Sequence, residues 1–116
     1  MGYVKKSSQS ESSIQSKIIK YLRSQNAFIL NPKTGTYSKK GVPDLHVCYR
    51  GMYIAIEVKV PGKTPDETQQ LRLKQIRDAG GYTISVTTLE EVKEFIHDIS
   101  TIQQCGKSRW PCTIYI

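Results

Sequence analysis

The stretch GVPDLHVCYRGMYIAIEVKV, residues 41–60, decides the fold: two runs of alternating apolar and polar residues meet at a glycine, the pattern of a β-hairpin with one buried face. Placing the turn at Gly51-Met52 sets Arg50 opposite Tyr53, Val47 opposite Ile56, His46 opposite Glu57 and Asp44 opposite Lys59. Leu45, Val47, Tyr49, Ile54, Ile56, Val58 and Val60 then share a face expected to be core. Asp44, His46, Cys48, Arg50, Tyr53, Ala55, Glu57 and Lys59 share the other, expected to be polar.

In that register Asp44 and Glu57 are diagonal neighbours, roughly 7 to 8 Å apart between backbones, with Lys59 directly across from Asp44. Two carboxylates so placed can converge on a hard cation such as Mg²⁺, with the main-chain carbonyl of Val58 completing the site. A wet sheet face carrying an Asp–Lys cross-strand pair fits the same geometry, and the hairpin alone does not separate the two.

Outward from the hairpin, Ile14, Ile18, Ile19 and Leu22 recur at helical spacing and predict a first helix from about Ser12 to Gln25. Residues 27–30, AFIL, suit a short buried strand, which Asn31-Pro32 ends ahead of the basic loop KTGTYSKKG. A Pro/Gly loop at 61–65 leads into a second helix from about Asp66 to Ala79, bearing Leu71, Leu73 and Ile76 and stopped at Gly80-Gly81. YTISV alternates as a strand. Thr87 or Thr88 can cap a third helix, LEEVKEFIHDIS, with Leu89, Val92, Phe95, Ile96 and Ile99 on one face. The element order is α-β-β-β-α-β-α. Residues 1–10 form an expected disordered basic lead-in, 11–101 a single domain, and 102–116 a tail suited to an edge strand or an arm onto a partner subunit.

The net charge of +7 is unevenly placed. Residues 1–40 hold eight Lys or Arg against Glu11 alone, whereas residues 41–116 hold nine bases against nine acids. Such asymmetry suits a polyanion, since lysines that neutralise phosphates release counterions, and it also suits a merely solubilising surface. No apolar run approaches the roughly 20 residues of a membrane helix or follows the first lysines as a signal peptide would, so a cytoplasmic location is expected. Cys48, Cys105 and Cys112 show neither paired spacing nor a zinc pattern and are expected to be reduced. His97 near the end of the third helix reads as structural, favourable to the helix dipole.

Pro43-Asp44 followed by Glu57-Val58-Lys59 resembles the signature of the PD-(D/E)XK nuclease superfamily. The order KTGTYSKKGVPDL, IAIEVK, TPDETQQLRLKQIRDAGG resembles its VRR-NUC branch from about Glu11 to Val86. That resemblance implies a restriction-endonuclease-like α/β core with a mixed sheet flanked by helices. It also implies a metal-dependent DNA endonuclease using Mg²⁺ or Mn²⁺, dimeric and acting on branched DNA in the manner of Holliday-junction resolvases in repair or recombination. The resemblance further implies a bacterial or phage-encoded protein.

Carried over residue by residue, Asp44 and Glu57 resemble metal ligands, Lys59 the group that orients or activates water, and Gln69 the helix residue that supports the site, with Gln70 a weaker candidate. Glu11 matches an acid that some members add to the metal site. Lys33, Tyr37, Lys39 and Lys40, in the loop before Gly41, are then placed to touch the DNA backbone. The family pattern does not call for a His at position 46, and a polar filler is the plainer reading there. A noncatalytic basic nucleic-acid-binding module is the alternative, and a scaffold or inhibitor protein built on the sheet surface a third class. Neither needs the acids and Lys59 together.

Overall fold

The computed structural model describes residues 10–32 and 41–104. The elements are α1 (Glu11–Ser24), β1 (Phe28–Leu30), β2 (Leu45–Tyr49), β3 (Met52–Val58), α2 (Glu67–Asp78), β4 (Tyr82–Val86) and α3 (Leu89–Gln104), in the expected order. Expected features of residues 1–9, of the loop residues Lys33, Tyr37, Lys39 and Lys40, and of the tail with Cys105 and Cys112 lie outside the described residues. Helix α3 continues past residue 101, the expected end of the domain, to Gln104.

The four strands form one sheet in the order β1-β2-β3-β4, antiparallel across the first two pairs and parallel between β3 and β4. A parallel neighbour requires a crossover, which α2 supplies. Apolar spacing explains which face is filled: Ile14, Ile18 and Leu22 of α1, and Val92, Ile96 and Ile99 of α3, pack with Leu45, Val47, Tyr49, Ile54, Ile56, Val58 and Val86 into one cluster. Each fully buried aliphatic side chain there contributes about 1.5–3 kcal/mol.

Local signals set the helix ends. Ser10 caps α1 by accepting from the Ser13 N–H. Asp66 and Gln69 form a reciprocal capping box on α2, and Thr88 with Glu91 makes the equivalent exchange at α3.

The hairpin departs from the expected register by two residues. Its turn is Arg50-Gly51, with φ of 51° and 80°, so Tyr49 pairs with Met52, Cys48 with Tyr53 and His46 with Ala55. A two-residue turn matching the strand twist needs positive φ at both central positions, which favours glycine second rather than first. Because the slip is even, every side chain keeps its expected face.

The second face, expected to be polar, is not uniformly wet. Helix α2 packs against β4 and reaches β3 through Gln69, and on this side Ala55, Glu57 and Leu73 are buried. Leu71, one of the apolar residues that mark this helix in the sequence, is exposed. β1, expected to be buried, is an edge strand with Phe28 and Leu30 exposed, because α1 covers only its opposite side.

Candidate active site

Continuing the β2–β3 ladder one step beyond Leu45–Ile56 places Asp44 opposite Glu57, not opposite Lys59. The Asp44 Oδ2 accepts the Val58 main-chain N–H at 2.8 Å, locking its side chain against β3. Glu57 is 1% exposed. Its Oε2 accepts from Gln69 Nε2 at 2.7 Å and lies 3.7 Å from the Lys59 ammonium, while its Oε1 is buried with no hydrogen-bond partner. Leaving such an oxygen unpaired costs about 1–3 kcal/mol or more for a charged group.

Burial, and then the neighbouring Asp44 charge, push the Glu57 carboxyl up to about 7 from its ordinary 4.5, with Glu11 adding a smaller push and Lys59 offsetting part of it. The Glu57 carboxyl thus sits within the field of a second carboxylate, Asp44, and of the Lys59 ammonium.

Gln69 ties this centre to α2. Its Oε1 accepts the Asp66 N–H at 2.9 Å while its Nε2 reaches Glu57, so the helix cap also orients the glutamate. Gln70, the weaker candidate, instead donates to the Pro65 carbonyl and does not face Glu57. The Asp-x-x-Gln spacing of a capping box at 66–69 was a sequence signal for this arrangement.

Gly41 explains the approach of the preceding loop. Its φ is +80°, and a Cβ there would lie 2.6 Å from Thr68 Cγ2 and 2.9 Å from the Thr68 carbonyl. Only glycine allows the chain entering Asp44 to pass this close to the start of α2.

The structure therefore brings together Asp44, Glu57, Lys59 and Gln69. Glu11 acts on Glu57 through its charge, but among the described residues no three His, Cys, Asp or Glu converge as a ready metal cage. His46 pairs with Tyr53 through a 2.6 Å hydrogen bond at Nδ1 rather than facing Glu57. Partial burial lowers the His46 pKa and raises that of Tyr53. His97 is exposed beside Asp98, at 3.7 Å. Cys48 is free and exposed. No helix among the described residues is long and apolar enough to cross a membrane.

No protein-family model matches the chain. No curated protein matches it either. Among solved structures, one described as a VRR_NUC domain superimposes with a TM-score of 0.67 at 22% sequence identity, covering 78% of this chain and 97% of that one. The helices, the mixed four-stranded sheet and its strand order are thus those of the VRR_NUC domain fold.

Proposed function

We propose that this chain is a metal-dependent DNA endonuclease that hydrolyses phosphodiester bonds. The observation that carries the proposal is the buried, unpartnered Oε1 of Glu57, whose carboxyl lies within the field of the Asp44 charge. A carboxylate kept solely for structure would have that oxygen paired. The donor set fits Mg²⁺ or Mn²⁺, since such ions take one or two carboxylates and fill the remaining positions with water and phosphate oxygens. Asp44 and Glu57 would hold the ion, with the Val58 carbonyl a further donor, and Glu11 would bias the site by charge.

When bound, the ion supplies positive charge to the phosphodiester and makes a coordinated water more acidic. Lys59, held within 3.7 Å of Glu57, adds an ammonium where negative charge grows as water oxygen bonds to phosphorus. The bond from phosphorus to the leaving oxygen then breaks, giving a phosphate monoester and a hydroxyl. Gln69 keeps the Glu57 carboxylate aimed by donating to Oε2, and so acts as a positioning residue.

The VRR_NUC likeness supports a nuclease, and the excess of positive charge supports a nucleic-acid partner. One catalytic centre per chain favours a homodimer when two strands of a branched substrate must be cut. Labelled single-stranded, duplex, flap and four-way-junction DNA, incubated with Mg²⁺ or Mn²⁺, tests the proposal. Cleavage by the parent and none by Glu57→Ala supports it. Tight binding without cleavage on every substrate leaves the noncatalytic module instead.

A further inference from the structure

The face that carries Asp44 and Glu57 continues beyond them in two rows. Leu30, His46 and Ala55 form the next row; Phe28, Cys48 and Tyr53 form the row after, about 13 Å from the acids along the strands. Helix α2 and the turn after it cover one side of this surface: Gln69 reaches Glu57 at one end, and at the other Gly81 lies close to both Ile76 and Tyr53. No element among the described residues covers the β1–β2 side, where Phe28 is 63% and Leu30 55% exposed beside the free Cys48 and the linked rings of His46 and Tyr53. A contiguous apolar patch of this kind on a charged protein marks a contact surface.

We propose that this half of the sheet, centred on Phe28, Leu30, Cys48 and Tyr53, is a stacking platform for unpaired nucleobases of the strand whose phosphodiester lies at Asp44 and Glu57. The inference rests on the nuclease reading for the position of that phosphodiester.

Three observations select this occupant. The patch is continuous with the acid pair on one sheet face, so a strand engaged at one extends across the other. Its exposed rings and aliphatic side chains accept the flat face of any base, which requires no sequence reading. The chain carries a net charge of +7, and the ten residues that connect Leu30 to Gly41 include Lys33, Lys39 and Lys40 and no acid, which suits a phosphate backbone and disfavours a basic partner surface. Bases paired within a duplex present no free face to such a platform, so the preferred substrate has unpaired nucleotides flanking the scissile bond.

The test uses the full chain in EDTA, where binding is read without cleavage. The probes are a thymine-rich oligonucleotide containing 2-aminopurine and a blunt duplex of the same length. The Phe28→Ala, Leu30→Ala double variant should bind the single strand about tenfold more weakly while duplex affinity changes by less than about twofold. The quenching of 2-aminopurine should be lost with it, and Phe28→Trp should retain both. Equal affinities for parent and double variant on the single strand would overturn the platform, and metal-dependent cleavage by the parent would then leave the nuclease reading standing. A change in mass by light scattering with unchanged strand affinity would also overturn it, assigning the patch to a second copy of the chain. Weakened single-strand binding by the double variant, with no cleavage by the parent, would uphold base stacking on the patch and reject the nuclease reading with the strand position that rests on it.

Discussion

Replacing Glu57 by glutamine should make the metal-free protein more stable at alkaline pH, while removing its activity. Glu57 shifts from 4.5 to about 7 because burial and the Asp44 charge oppose its ionisation. A carboxyl whose folded pKa is raised binds its proton more tightly in the native state, so its favourable contribution is complete below about 4.5 and is lost as pH rises through about 7. At about 1.36 kcal/mol per unit, the loss is about 3 kcal/mol. The amide introduced by Glu57→Gln cannot ionise. Urea denaturation of parent and Glu57→Gln in EDTA, from pH 4 to pH 9, should therefore show the variant gaining about 3 kcal/mol on the parent across that range. In melting temperature this is on the order of 10 °C. Adding Mg²⁺ at pH 8 should stabilise the parent, by about 2.7 kcal/mol at a hundredfold excess over Kd, and leave the variant unmoved. A parent–variant difference that stays flat from pH 4 to pH 9 would refute the claim that Glu57 is held as a buried, electrostatically strained acid.

Four other substitutions probe the surroundings. Gln69→Ala removes the side-chain half of the α2 capping box and the Glu57 hydrogen bond, leaving the Asp66 cap on the backbone N–H of residue 69, and should cost about 2 kcal/mol by denaturation, with a lower kcat, whereas Gln70→Ala should cost under about 1 kcal/mol. Gly41→Ala forces a Cβ against Thr68 at positive φ and should cost about 2 kcal/mol or more, shifting Asp44 and depressing cleavage beyond the stability loss. Lys59→Ala should keep metal binding by calorimetry yet lose turnover, because it removes the ammonium and neither carboxylate.

The hairpin shows what the sequence makes legible and where it stops. Strict alternation of Leu45, Val47 and Tyr49 against Ile54, Ile56 and Val58 assigns faces whatever even-numbered slip the turn makes, so Asp44 and Glu57 share a face as expected although the residue opposite Asp44 is Glu57 and not Lys59. The register itself depends on Arg50 adopting positive φ, which its identity does not announce. Burial of Glu57 was harder still to foresee, because it depends on where the crossover helix α2 comes to rest, a property of tertiary packing. The same placement leaves Phe28 and Leu30 uncovered, although AFIL reads as an apolar run destined for the interior.

The central claim, a metal-dependent phosphodiesterase built on Asp44, Glu57 and Lys59, is tested most directly by cleavage of labelled four-way-junction, flap and single-stranded DNA with Mg²⁺ or Mn²⁺, comparing the parent with Lys59→Ala. The account predicts cuts by the parent that vanish in EDTA and in the variant. Cleavage by Lys59→Ala at the parental rate, or no cleavage by the parent on any substrate with either metal, would contradict it.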